Sequence, residues 1–222
     1  MRNPGGAARA AALVLAGSGE PDVLVRVHGE PLLTHAVRGL LDVGCMNRLV
    51  VAVPSRILGS CEAIVRELPG TGKRCRVIPG GADRAESLRL AYEAVRDEHY
   101  DAYLVHDAAR PFVPPATVAA VAEAVFQGAG AVAPVLPVTD TVKLVDPAGV
   151  IVTTKDRAQL RTIQSPLGCT EGVLRDACAR GVDLLSEPPG TVRTVAGHPN
   201  AIRLATPFDL AVAEALLLEE RA

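Results

Sequence analysis

Short uninterrupted apolar runs, separated by stretches of helical periodicity, set the rhythm of the chain as far as Pro134. Ala11 to Leu15, Leu49 to Val53, Arg76 to Ile78 and Tyr103 to Val105 read as strands. Between them, Pro31 to Val43 carries Leu33, Ala36, Val37 and Leu40 on one helical face, and Ile57 to Leu68 predicts a second helix. A third follows Gly80-Gly81, where Leu88, Ala91, Tyr92 and Val95 recur at i, i+3, i+4, i+7. Pro114-Pro115 opens a fourth, with Val118, Val121, Ala122 and Val125 facing inward. Buried strands alternating with amphipathic helices predict βαβ units and a mainly parallel sheet.

After Pro134 the rhythm changes. Val135 to Asp146 and Val150 to Thr154 alternate apolar and polar residues around a Pro147-Ala148-Gly149 turn, which predicts a hairpin. It is expected to form a β-arm over about 137–160 that leaves the body of the fold. A helix over Glu171 to Ala179 and a turn-rich Ser186-Glu187-Pro188-Pro189-Gly190 come next. Strands over Val192 to Val195 and Ala201 to Leu204 lead to a terminal helix from Pro207, with Leu210, Ala213 and Leu217 at helical spacing.

A length of 222 residues predicts one domain over 1–222, and 49% apolar with 22% charged residues is ordinary globular composition. A formal net charge of −2 gives no electrostatic case for nucleic acid or an anionic membrane as partner. Three Phe, three Tyr and no Trp argue against a base-stacking platform. The cysteines, Cys45, Cys61, Cys75, Cys169 and Cys178, contain no C-x-x-C pair, so a reducing cytoplasm is the expected setting. The apolar Ala10–Ala16 is at the short limit for a signal peptide and runs into Gly17-Ser18-Gly19, so it reads as a first strand. No apolar run reaches membrane-spanning length.

Candidate chemistry collects where strands end. Ala16-Gly17-Ser18-Gly19 follows the first strand and lets backbone approach a ligand; alone, it is as readily a plain tight turn. Gly80-Gly81 at a helix mouth is expected to present backbone N–H groups, with Arg84 and Ser87 on one side of the first turn, as a cradle for a phosphate or a nucleoside. Asp107, in Val105-His106-Asp107-Ala108-Ala109-Arg110-Pro111, falls at the carboxyl end of a strand, where open parallel sheets bind ligands. One hard oxygen ligand beside one cation suits a metal-bound polyphosphate. Thr139-Asp140-Thr141-Val142-Lys143 and Asp156-Arg157 put polar groups on both halves of the arm, where the plain alternative is a hairpin's wet face.

In this order, these residues resemble the 2-C-methyl-D-erythritol 4-phosphate cytidylyltransferases of the non-mevalonate isoprenoid route. The resemblance runs over nearly the whole chain. It adds Pro137-Val138-x-Asp140-Thr141-Val142-Lys143, Asp156-Arg157-x-x-Leu160, Gln164-Ser165-Pro166, and Asn200-Ala201-Ile202-Arg203 followed by Thr206-Pro207-x-Asp209-Leu210 to the motifs above. It implies a Rossmann-like three-layer α/β nucleotidyltransferase fold with a protruding β-arm. The implied reaction joins CTP to a sugar-alcohol phosphate with Mg²⁺, releasing pyrophosphate. By resemblance, Ala16, Gly17, Gly19, Gly80, Gly81, Arg84, Ser87 and Ala108 bind nucleotide, and Asp107 holds the metal. Arg110, Thr141, Arg157 and Arg203 bind the acceptor, with Arg157 and Arg203 also catalytic and the arm crossing to the second subunit of a homodimer.

The sequence also departs from the family pattern. Pro21 and Asp22 stand where the resemblance calls for a loop arginine and a lysine that brace the triphosphate, and the loop is shortened and acidic. Arg26 is the nearby cation expected to substitute as a catalytic residue. An acidic segment expected before the last strands is replaced by Glu187-Pro188-Pro189-Gly190. Alongside a working enzyme, two alternatives stand: a sister enzyme acting on another alcohol phosphate such as ribitol 5-phosphate, and a paralogue that binds nucleotide without turnover.

Overall fold

The computed structural model describes residues 7–17 and 22–219. Strand β1 (Ala10–Leu15) is buried along its whole length. Its side chains alternate between two cores. Ala10, Ala12 and Val14 join Leu33, Leu40 and Val121, whereas Ala11, Leu13 and Leu15 join Leu88, Ala91 and Leu174. This is why it reads as a continuous apolar run: both faces are covered. A small hairpin follows, β2 (Arg26–Val27) with β3 (Glu30–Pro31), closed by His28 and Gly29 at φ 50° and 79°. It leads straight into α1 (Leu32–Leu41).

The expected alternation then runs through β4 (Met46–Val53), α2 (Leu58–Glu67), β5 (Cys75–Pro79), α3 (Arg84–Glu93), β6 (Ala102–Asp107), α4 (Pro115–Phe126) and β7 (Ala131–Pro137). The arm is β8 (Lys143–Val145) with β9 (Ile151–Thr154). Strands β10 (Arg161–Ile163) and β11 (Leu167–Cys169) return to the body, followed by α5 (Glu171–Arg180), β12 (Arg193–Ala196) and α6 (Pro207–Glu219).

The main sheet has the order β10-β7-β11-β6-β1-β4-β5, with β12 also paired to β7. β4 and β6 flank β1 in parallel, and β5 continues β4 in parallel; β10 and β11 run against their neighbours. Helices α1, α2 and α4 cover one face and α3 and α5 the other, giving the anticipated three-layer α/β architecture.

Two expectations need correction. Ala201 to Leu204 forms no strand, because its backbone is satisfied outside a ladder. Ala201 O accepts from Arg110 and Gln164, and Leu204 N donates to Ala109 O. Val135 to Pro137 belongs to the main sheet rather than to the hairpin, so the arm proper begins later. The short β10 and β11, which carried no periodic signal, fill the space between β7 and β6 and extend the edge. The arm does leave the body: β8 and β9 are exposed throughout, and among the described residues they pair only with each other.

Candidate active site

Parallel pairing places the carboxyl ends of β1, β4, β5 and β6 along one edge, with Leu15 of β1 in register with Asp107 of β6. A hollow of about 340 Å³ opens there, walled by Ala16, Gly17, Pro54, Gly80, Gly81, Arg84, Ser87 and Asp107, among others. The first turn of α3 is fixed by its own side chains. Asp83 caps it by accepting from Glu86 N at 2.8 Å, and Glu86 reaches back to Ala82 N at 2.8 Å. Ser87 Oγ accepts from Gly81 N at 3.0 Å and donates to Asp83 O at 2.7 Å, while Gly80 N donates to Val53 O at 2.7 Å.

This overturns one expectation, since the N–H groups of the two glycines are already taken. Their contribution is space: a Cβ on Gly80 would lie 3.0 Å from Ser87 Oγ, and one on Gly81 would run into the Glu86 side chain.

Asp107 is almost buried, and each carboxylate oxygen has partners. Oδ1 accepts from Ala109 N at 3.1 Å and faces Arg84 Nη1 at 3.6 Å; Oδ2 accepts from Arg203 Nε at 3.1 Å. Burial would raise its pKa, but Arg84, the Ala109 N–H and Arg203 together hold it below the ordinary carboxylate value. Beneath it, Ser165 Oγ accepts from Asp107 N at 3.2 Å and lies 3.1 Å from His106 Nδ1. A serine oxygen that accepts from the amide still has its own proton to give to Nδ1, and we assign that arrangement, with the ring proton on Nε2. Burial pushes His106 down to about 4, leaving a neutral brace under the ionised aspartate.

A second hollow of about 250 Å³ shares Arg84, Asp107 and Arg203 with the first and adds Arg110, Ser165, Leu185 and Ser186. Arg110 donates to Ala201 O at 2.6 Å, and burial lowers its pKa from the usual arginine value. Gln164 donates to His198 O at 2.9 Å and accepts from His198 N at 3.0 Å, tying β10 to the segment that carries Arg203.

Of the anticipated residues, the structure thus brings together Ala16, Gly17, Gly80, Gly81, Arg84, Ser87, Asp107, Arg110 and Arg203. Others fall elsewhere. Ala108 is fully buried with its N–H on Leu15 O, and its neighbour Ala109 lines the first hollow instead. Thr141 and Arg157 sit exposed on the arm, lining neither hollow, and Arg157 donates to Thr139 O. Arg26 is exposed on β2, donates to Gly29 O across its own turn and is absent from both walls. Gly19, Glu20 and Pro21 lie outside the described residues.

Two further residues, Arg56 and Asp183, were not legible in advance. Asp22 accepts from Leu24 N at 3.0 Å and lies 4.0 Å from Arg56, which stands two residues beyond the wall residue Pro54. The acidic loop position therefore has a counter-ion. Asp183, just past α5, accepts from Arg84 Nε at 2.9 Å. It supplies an acid four residues before Glu187-Pro188-Pro189-Gly190, which replaces the family's acidic segment, and stands 99 positions from its partner, a separation at which no local spacing can reveal the pair.

A profile of the family described as 2-C-methyl-D-erythritol 4-phosphate cytidylyltransferase matches residues 10–219. The chain belongs to this family. As a cytidylyltransferase it is 48% identical over 210 residues to the relative of that name from Saccharopolyspora erythraea, spanning 90% of this chain and 92% of the relative. A solved 4-diphosphocytidyl-2C-methyl-D-erythritol synthase superimposes with a TM-score of 0.81 at 26% identity, covering 95% of this chain and 100% of the other. The 2-C-methyl-D-erythritol 4-phosphate cytidylyltransferase of Thermus thermophilus gives 0.71 at 30% identity, over 92% and 97% respectively. This cytidylyltransferase is therefore a nucleotidyl-transferring enzyme by family, with its paired hollows at the sheet edge where the α/β architecture favours ligands.

Proposed function

We propose that this enzyme joins CTP to 2-C-methyl-D-erythritol 4-phosphate, giving CDP-methylerythritol and pyrophosphate in non-mevalonate isoprenoid synthesis. The observation that carries the reading is the shared wall: one ionised carboxylate and two guanidinium groups stand between two hollows of comparable size. CTP fills the hollow beside Gly80, Gly81, Arg84 and Ser87. The acceptor phosphate fills the other, beside Arg110 and Arg203. An acceptor phosphate oxygen attacks the α-phosphorus, the bond to the bridging oxygen breaks, and pyrophosphate carries away the electron pair. The chain's own part is alignment, with cations set where negative charge gathers.

The donor set at Asp107 fits a magnesium ion of the kind held by one carboxylate together with substrate phosphates. Asp107 would hold it, and the ion would offset phosphate charge. Arg203 Nε, now 3.1 Å from Oδ2, would give up that oxygen. The arm, carrying Thr141 and Arg157, completes the acceptor site of a second copy in a cytoplasmic homodimer.

A second reading, nucleotide binding without turnover, is favoured by Asp22 at the position of a bracing lysine. Pyrophosphate release with CTP, Mg²⁺ and either methylerythritol phosphate or ribitol 5-phosphate separates these readings. Release at about 10 per second with the former is expected of a working enzyme, and Asp107→Asn should lower it about 10²–10³-fold. Tight CTP binding with no release, restored by Asp22→Lys, would establish the second reading. Preference for ribitol 5-phosphate would move the assignment to the sister activity.

A further inference from the structure

Among the described residues, Arg84 is the one side chain that faces both Asp107, from its Nη1, and Asp183, from its Nε. Asp183 lines neither hollow, yet its side chain is only 10% exposed and fully engaged. Oδ2 accepts from Arg84 Nε at 2.9 Å and from Ser186 Oγ at 2.9 Å; Oδ1 accepts from Leu185 N at 3.1 Å. Its carbonyl accepts from Ser186 N and Glu187 N at 3.1 and 2.8 Å. One residue thus closes the turn that presents Leu185 and Ser186 to the second hollow and grips the arginine shared by both hollows.

We infer that Asp183 is a positioning residue for cytidylyl transfer, acting through Arg84. An arginine left to itself between a carboxylate and an incoming triphosphate has alternative geometries. It can turn both edges onto Asp107 and occlude it, or follow the phosphates outward. Holding Nε from behind leaves the Nη edge facing Asp107 and the first hollow, so the orientation is fixed before nucleotide arrives. The Asp183 charge also offsets part of the Arg84 charge, which weakens the arginine's hold on Asp107 and leaves that carboxylate more available.

The inference rests on the reading of Arg84 as a nucleotide ligand, and a double-mutant cycle separates the two. CTP affinity is measured by calorimetry with Mg²⁺, beside KM and kcat from pyrophosphate release, for Asp183→Asn, Arg84→Ala and the double variant. Asparagine keeps an oxygen for Leu185 N and so preserves the turn. We expect Asp183→Asn to weaken CTP binding by about tenfold, as loss of one charge-assisted bond does, with KM moving more than kcat. In the Arg84→Ala background the same change should add less than about twofold, the mark of coupling through one partner.

Additive losses, or an Asp183→Asn variant with unaltered CTP affinity and KM beside a damaged Arg84→Ala variant, would overturn the role of Asp183 alone. An Arg84→Ala variant that binds CTP normally would overturn the nucleotide-site reading as well. If the asparagine variant does not fold, Asp183→Glu serves in the same cycle, because it keeps the charge but displaces it by one methylene.

Discussion

Asp107 draws its character from residues that the chain delivers from four directions: Arg84 from the mouth of α3, Ser165 from the turn before β11, Arg203 from the segment before α6, and Ala109 from its own turn. His106, in contact with Ser165, is less conspicuous than these and is the residue with a distinct pH signature. Its folded pKa lies at about 4, against the ordinary 6.5, because a fully buried ring resists protonation. The unfolded chain therefore binds the extra proton first. Stability from this group is present above pH 6.5 and is lost as pH falls from 6.5 towards 4. The full loss is on the order of 3 kcal/mol. Denaturant midpoints between pH 7 and 4 should fall with pH, and His106→Gln should flatten that slope while lowering the plateau. His35, shifted down by burial, contributes in the same sense and remains in the variant. An unchanged slope in His106→Gln would refute the assignment.

At the scale of elements, the eight alternating segments from β1 to α4 were readable because β1, β6 and the Leu49–Val53 part of β4 are buried on both faces and each helix turns one face inward, while the edge strand β5 keeps only Ile78 buried. What escaped were pieces stabilised by partners distant in sequence. β11 is short, yet Gly168 pairs with Leu104 and Val132 and lies directly beneath α4. A Cβ there would come within 2.5 Å of Val121 Cγ1 and 3.1 Å of Val125 Cγ2. Gly168→Ala should therefore destabilise the fold by about 1–3 kcal/mol through overpacking, read as a lower urea midpoint with an unchanged m value. A midpoint equal to that of the unaltered chain would mean that α4 can slide away at little cost. The site shows the same division. Asp107, Arg84 and the glycines announced themselves at strand ends, whereas the use of the Gly81 amide by Ser87 and of the Ala82 amide by Glu86, and the grip of Asp183 on Arg84, depend on side chains turning back in three dimensions.

For the whole molecule, the arm is the feature a lone copy does not explain. Leu144, Val145, Val150, Ile151 and Val152 are 47–61% exposed, although both strands of the hairpin are formed. Adjacent strand residues point to opposite faces, so Ile151 and Val152 leave both faces of the hairpin bare. Apolar surface of this kind marks an interaction site, and the proposed occupant is a second copy of the chain. Sedimentation equilibrium should show a dimer that Leu144→Ser with Ile151→Ser converts to monomer. Acceptor KM should rise while CTP affinity holds, because Thr141 and Arg157 would lose the site they complete. A monomeric parent chain with normal turnover would remove the arm from the mechanism.

The common wall of the two hollows also matters to anyone seeking to block this protein. Each hollow alone, at about 340 and 250 Å³, offers modest purchase to a small molecule. A single compound reaching across Arg84, Asp107 and Arg203 would join two weak attachments into one, with the second reached at the effective concentration its linker sets. The linker must itself carry negative charge to meet the paired guanidinium groups, and it must stay short, because the hollows touch. An uncharged linker would strip water from the two arginines and the carboxylate while offering them nothing beyond one another, and would forfeit much of what the joining gained.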